Sequence, residues 1–317
     1  MTTTIPELLQ RIIPRRRIHG ITAVLLPFRA EQPDWEAWEA HLLRCSHAGL
    51  DPAINMDTGF GPQLTPVQRR EALTRARRVL GPGRALVAGA LPFLDGDDLL
   101  GAYRRALRDI AEVGATPIIF QSPLFAAPGV DVPGLYRTIL ADVPKALAFE
   151  LSPVFAPFGR IYDLPTWERL LDIPQLVGAK HSSLDRLQEL ERLELITRRR
   201  PEFRMYTGND LAIDLVMWGS DYLLGLSTFH PEAFALRDRW WFEGDPRFFA
   251  LNDALQALGM IAFRDPVPAY KHSAAVFLSL TQGGTPLEPH PLCVRRPVWE
   301  IDLLRPIAAL IHSAMGA

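Results

Sequence analysis

Lys180 is the residue whose type and setting could most directly do chemistry. It stands in Leu176-Val177-Gly178-Ala179-Lys180-His181-Ser182-Ser183, a short apolar run followed by a small polar turn and then a helical pattern. The chain's lysines are Lys145, Lys180 and Lys271, so its cations are nearly all arginine. A lysine near the end of a buried strand is costly to keep charged. Neutral and facing a pocket, its amine is a nucleophile that can form a Schiff base with a carbonyl. Moving a lysine from a pKa of about 10.4 to near 7 takes ~4 kcal/mol, which burial and a positive neighbour can supply. The octet alone fits equally a lysine that snorkels out at a strand end.

The bulk of the chain sets the frame for that residue. At 317 residues it is long enough for two domains, yet barrels of alternating strands and helices reach this length as one. A formal net charge of -2 with 48% hydrophobic and 22% charged residues points to an ordinary globular protein, with no nucleic-acid partner and no membrane surface. Cys45 and Cys293 lie far apart without metal-type spacing, so a reduced, cytoplasmic setting is expected. Residues 1–4 lead into a proline and an arginine cluster, not a signal peptide, and no apolar run approaches a membrane span. Arg15-Arg16-Arg17 reads as a solvated or subunit-facing run.

From residue 21 an alternation begins. Buried-strand runs fall at Ile21–Phe28, Asp51–Asp57, Ala85–Leu91, Pro117–Gln121, Ala146–Leu151, the lysine strand, Phe203–Gly208 and Tyr222–Leu226. Helical patterns separate them: Trp35, Trp38, Leu42 and Cys45 share one face, and Thr65-Pro66 caps a basic helix running to Leu80. Further helices are expected near 133–143 and from Leu164. This spacing predicts an α/β fold, a closed (β/α)8 TIM barrel over residues 1–230 with a short N-terminal extension. No Gly-rich nucleotide turn follows any strand, which weakens a doubly wound sheet. Helical patterns near 231–243, 246–262, 266–280 and 298–315 make residues 231–317 the last barrel helix and a C-terminal helical extension packed on the barrel.

With the lysine on its sixth strand, the chain resembles the dihydrodipicolinate synthase / N-acetylneuraminate lyase family of class I aldolases over about residues 18–313. Val177-Gly178-Ala179-Lys180-His181-Ser182-Ser183 is similar to the family's Schiff-base lysine signature. Tyr206-Thr207-Gly208-Asn209-Asp210 resembles its Ser-Gly-Asp-Asp turn, and Asp265-Pro266-Val267-Pro268-Ala269-Tyr270-Lys271 its C-terminal Asn-Pro-x-Pro-x-Lys element. Leu25-Leu26-Pro27-Phe28 matches its opening strand. The resemblance implies Lys180 as the nucleophile, a small-molecule substrate, and a homotetramer or dimer of dimers. It implies substrate-binding positions at Thr58, Gly59, Ser122, Phe125, Phe155, Gly208, Asn209 and Leu224.

Departures from the family pattern restrict the reaction. The loop that holds a keto-acid carboxylate falls on Met56-Asp57-Thr58-Gly59-Phe60, where Asp57 replaces one threonine. A carboxylate there repels a substrate carboxylate unless it is protonated or directed elsewhere, so Asp57 caps the turn, binds a hydroxyl or acts as a base. The proton-shuttling tyrosine after strand four falls on Phe125 in Ser122-Pro123-Leu124-Phe125, and phenylalanine cannot move a proton. Acid–base catalysis contributes roughly 10²–10⁴-fold, so another group must supply it, or the reaction does without. The candidates are Asp57, Glu150, His181, Tyr206 and His230. Glu150 reads either as a general acid with a raised pKa or as half of a salt bridge to arginine, and strand alternation next to Lys180 turns His181 toward the opposite face from the interior. The apolar Pro153-Val154-Phe155-Ala156-Pro157-Phe158-Gly159 replaces the family's substrate-binding arginine, leaving only Arg160 nearby.

The remaining marked residues read as structural: His41 and His47 on a helix, Trp240-Trp241 as core and surface halves of another, and Lys271 opening a helix outside the barrel. No His, Asp or Glu cluster has metal spacing and Schiff-base chemistry requires no metal, so neither metal nor cofactor is expected. The reading that results is a lyase, aldolase or dehydratase acting on a 2-keto acid or related carbonyl compound, and not dihydrodipicolinate synthesis itself. The contrasting reading is a member that has lost turnover and binds a small metabolite as a sensor or partner module. A third is a lysine that performs a proton transfer such as isomerisation without an imine.

Overall fold

A computed structural model describes residues 10–92, 98–283 and 285–316, so the reading of residues 1–4 lies outside the described residues. The barrel strands are β1 (Gly20–Ala23), β2 (Asp51–Ile54), β3 (Val87–Ala90), β4 (Thr116–Ile119), β5 (Ala146–Leu151), β6 (Leu176–Ser182), β7 (Arg204–Thr207) and β8 (Asp221–Leu224). They close in sequence order, β1 pairing with both β2 and β8, and every pairing is parallel. The fold is a TIM barrel. Between the strands run α1 (Trp35–Ala48), α2 (Pro66–Leu80), α3 (Leu99–Glu112), α4 (Val132–Ile139), α5 (Leu164–Leu171) and α6 (Arg186–Arg199), with a 3₁₀ segment at Ile213–Trp218 between β7 and β8.

The first strand is shorter than its apolar run suggests. It ends at Ala23, and Phe28 instead opens a two-stranded hairpin, Phe28–Arg29 against Gln32–Pro33. The helix expected near 133–143 likewise stops at Ile139, capped by Leu140. Of the run Arg15-Arg16-Arg17 the outer two are exposed, whereas Arg16 pairs with Asp221 at 2.6 Å and donates to the carbonyls of Gly219 and Ser220, tying the N-terminal segment beneath the barrel.

Side-chain alternation along the strands builds two apolar layers. Inward residues such as Ile21, Ala23, Ile118, Leu147, Phe149, Leu151 and Leu223 fill the lumen. Outward residues such as Ile54, Ala88, Ile119, Ala148, Ala179 and Leu224 meet the helices. One residue of offset therefore separates chemistry from packing on every strand.

After β8 come α7 (Pro231–Glu243), α8 (Arg247–Ala262), α9 (Tyr270–Gln282) and α10 (Glu300–Ala314). The pattern near 266–280 begins as a 3₁₀ turn and becomes α-helical only at Tyr270. Phe277 of α9 is fully buried against Phe229, which follows β8, with ring centroids 5.7 Å apart. If these helices and the barrel share one core, Phe277→Ala opens a cavity that costs ~3–5 kcal/mol. Urea unfolding followed by tryptophan fluorescence should then show one transition at lower midpoint; two separated transitions would mark an independent C-terminal unit.

Candidate active site

Lys180 sits on the inward face of β6, beside Phe149 on β5 and Tyr206 on β7 in the strand register. Its Nζ lies 4.7 Å from the centroid of the Phe149 ring. The amine projects into a cavity of about 40 Å³ at the C-terminal end of the barrel, where enzymes of this architecture carry their chemistry. Ala23, Met56, Phe120, Leu151, Phe155 and Phe263 supply apolar walls, and Asp57, Thr58, Ser182, Asp210 and Tyr270 supply polar groups. Gly208 is required by close approach: a Cβ there would lie 2.5 Å from Lys180 Cε and 2.2 Å from Ser182 Oγ. Any larger residue displaces the lysine.

Burial lowers the Lys180 pKa, and the charges of Asp210 and Asp57 only partly oppose it. Asp210 responds in the other direction. Burial raises its carboxyl to about 7, while Lys180 and the backbone N–H groups of Leu226 and Gly225 pull it down. Its Oδ1 accepts from Leu226 N at 2.7 Å, which fixes the carboxylate beside the lysine.

The first turn of α9 closes the mouth. Lys271 Nζ donates to Asp57 Oδ1 at 3.0 Å, and the Tyr270 hydroxyl donates to Asp57 Oδ2 at 3.0 Å while lying 2.9 Å from Thr58 Oγ1. Asp57 is thus not a turn cap. Burial raises its pKa, but Lys271, Tyr270 and Lys180 more than offset this and hold the carboxyl below the usual range. Nor is Lys271 outside the barrel: its side chain is buried, bridging the helix and the loop after β2.

Of the other residues singled out from the sequence, Thr58, Phe155 and Gly208 line the cavity with Lys180. Gly59 follows Thr58, and a Cβ there would stand 2.9 Å from the Val24 carbonyl. Several do not reach the pocket. Leu224 faces the helix layer, one residue before the Gly225 that lines the cavity. Asn209 accepts from Leu211 N and shapes its own turn. Phe125 is fully buried edge-on to Tyr103 and Tyr136, and Ser122 is buried at the head of the short turn Pro123–Ala126. Tyr206 enters the lumen but points to its opposite end, where its hydroxyl lies 3.1 Å from His19 Nδ1. His230 caps α7 and pairs with Glu232.

Glu150 and His181 occupy outward positions one step past Phe149 and Lys180, where they contact each other. Arg192 of α6 binds both Glu150 oxygens, at 3.0 and 3.2 Å, and Tyr162 N donates at 2.7 Å. Burial tends to raise the Glu150 pKa, but His181 and Arg192 win, so the carboxyl is held below its ordinary value. A raised-pKa acid at this position is therefore corrected to a buried ion pair.

Sequence reading missed Asp210, Ser182, Tyr270 and Phe263. Ser182 is two residues beyond Lys180 on the same face, a period-two signal that was available. Asp210 was visible as the second acid position of the turn. Tyr270 carried no local signal, because only tertiary packing brings α9 to the mouth.

No family model matches the chain. A 4-hydroxy-tetrahydrodipicolinate synthase of Kosmotoga olearia is 25% identical over 219 residues, covering 65% of this chain and 68% of that protein. The dihydrodipicolinate synthase structure from Thermotoga maritima superposes with a TM-score of 0.79 at 18% identity, covering 95% of this chain and 100% of that one. The sialic acid aldolase of Ruminococcus gnavus gives 0.77 at 13% identity, covering 95% and 99%.

The ion pair outside the barrel has its own test. A carboxyl whose folded pKa lies below its unfolded value contributes stability above about pH 4.3, lost as pH falls through the folded value. Arg192→Met is expected to cost ~3–5 kcal/mol near pH 7 by leaving a buried charge short of a partner. Urea denaturation at neutral and acid pH should show that loss shrinking on acidification. An equal loss at both would assign the role of Arg192 to packing on Trp167.

Proposed function

We propose that this chain, a divergent member of the dihydrodipicolinate synthase / N-acetylneuraminate lyase family, is a Schiff-base-forming lyase, aldolase or dehydratase acting on a 2-keto acid or related carbonyl compound. The observation that carries the proposal is the Lys180 amine, its pKa lowered by burial, facing a small cavity at the catalytic end of a TIM barrel. The neutral amine adds to the carbonyl, and the protonated imine then draws electrons from a C–C or C–O bond under cleavage. Asp210 is the counter-charge beside that cation.

Asp57 does not bar an acid substrate. Its negative charge is matched by Lys271 at 3.0 Å, which leaves Thr58 to contact a carboxylate or its equivalent. The distal wall is apolar, with Phe155 in the cavity and Phe158 packed against the lumen core. Arg160 is turned away, its backbone N donating to Gln121 and its guanidinium facing the Phe125 carbonyl. A less acidic second substrate than that of dihydrodipicolinate synthesis suits this wall.

A homo-oligomer fits the exposed apolar residues Val298, Trp299, Leu303 and Leu310 at and along α10. Among the described residues no helix is long and apolar enough to cross a membrane. Both cysteines are free thiols, in keeping with a reducing, cytoplasmic setting.

Borohydride reduction in the presence of pyruvate and longer 2-keto acids, read by intact mass and peptide mapping, tests the proposal. The expected result is a stable adduct on Lys180 with at least one acid, and none in Lys180→Ala. The absence of an adduct across the panel would overturn it.

A further inference from the structure

Imine chemistry needs a group that carries protons to and from the reacting atoms, and the position after β4 offers only Phe125, packed among helix-layer rings. The protic groups that do line the cavity are Asp57, Thr58, Lys180, Ser182, Asp210 and Tyr270. Serine and threonine hydroxyls are poor proton carriers without an adjoining acid or base. Asp210 accepts the backbone N–H of Leu226 through Oδ1, and its charge acts on Lys180 across the cavity. One oxygen of Asp57 is taken by Lys271. Tyr270 remains.

Its geometry suits the task. The ring stacks on Phe263 with centroids 4.3 Å apart and planes within 16°. A Cβ added at Gly225 would come within 3.0 Å of its Cε2, so backbone also approaches the ring. The hydroxyl is thereby confined between Asp57 Oδ2 at 3.0 Å and Thr58 Oγ1 at 2.9 Å. Adjacent residues of α9 hold the two oxygens of Asp57, Tyr270 one and Lys271 the other, so one helical turn sets carboxylate and phenol together.

We propose that Tyr270, delivered by the C-terminal helix α9, is the acid–base residue of the Lys180 imine chemistry, with Asp57 and Thr58 as its relay partners and Lys271 as the positioning residue for Asp57. The proposal rests on the Schiff-base reading above. As the Lys180 lone pair forms the C–N bond, the carbonyl π pair moves to oxygen, which takes the Tyr270 proton. The surplus proton on nitrogen returns to the phenolate. A second proton from Tyr270 then lets the hydroxyl leave as water, giving a cationic imine beside a phenolate. That phenolate removes a proton from the carbon next to the imine, yielding the neutral enamine and restoring the phenol. Burial and then the charge of Asp57 raise the Tyr270 pKa well above the ordinary phenol value, so the residue starts each cycle protonated and its phenolate is a strong base.

The test separates this assignment from the reading it rests on. Wild type and Tyr270→Phe are incubated to equilibrium with pyruvate, or with a longer 2-keto acid where that gives the larger adduct, then trapped with borohydride. In parallel, proton NMR follows exchange of the protons next to the carbonyl in D₂O. Tyr270→Phe keeps the ring stack, and is expected to trap within about twofold of wild type while exchange slows by roughly 10²–10⁴-fold. Exchange at the wild-type rate in Tyr270→Phe overturns the assignment alone, as does a wild type that traps but never exchanges. A wild type that traps nothing overturns the Schiff-base reading and this assignment with it. Should Tyr270→Phe fail to fold, 3-fluorotyrosine incorporated in place of Tyr270 retains the hydrogen bonds with a more acidic phenol. The groups facing it are Asp57 from the loop after β2, Lys180 on β6, Asp210 after β7 and Lys271 on α9. None of these is altered, so the alkaline limb of the exchange rate is expected to move to lower pH, and an unmoved limb overturns the assignment.

Discussion

An amine held partly out of water at the mouth of the barrel is the constraint on which the rest of the structure depends. Desolvation favours the neutral form of Lys180, and a neutral amine is what a carbonyl requires. Close packing keeps it there: Phe149 lies against the amine and Gly208 leaves room for its methylene chain. Because the side chain is fixed on a strand with neighbours in register on both sides, its position is set by the backbone hydrogen bonds of the barrel and not by a flexible loop.

Charge at the mouth is balanced in two pairs. Asp57 and Lys271 form a closed ion pair across the loop after β2 and the first turn of α9. Asp210 and Lys180 are coupled differently, since burial disfavours the charged form of each. The first pair organises the mouth, with the Asp57 carboxyl held below its usual range. The second sets the charge beside the reacting amine, with burial pushing the Asp210 carboxyl up to about 7 and lowering the Lys180 pKa. The C-terminal helices are consequently part of the site, because α9 brings Tyr270 and Lys271 to the cavity rim.

Much of the barrel was legible in the sequence because its strands are short apolar runs at regular spacing and its helices carry local caps. The Thr65-Pro66 start of α2, with its reciprocal Thr65–Gln68 capping, is an example in which three neighbouring residues decide the outcome. The placement of Lys180 on the sixth strand was legible for the same reason. Side-chain direction was harder. Glu150 and Leu224 were each one residue from an inward position, and a period of two turns an error of one residue into the opposite face. Tyr270 was illegible, since its partners Asp57 and Thr58 lie more than two hundred residues earlier in the chain. Similarly, Phe125 occupied the expected place in sequence, but its ring turned into the layer formed by Tyr103 and Tyr136.

The most direct measurement of the central claim is the ionisation of Lys180 itself. With Lys145, Lys180 and Lys271 the lysines of the chain, ε-¹³C-lysine labelling gives a small set of resonances, and Lys180→Arg assigns one by its loss. Titration is expected to show that resonance changing well below the ordinary lysine range of about 10.4. A Lys180 resonance that titrates within that ordinary range would contradict the account, because the amine would then be a protonated surface cation and not the nucleophile of the site.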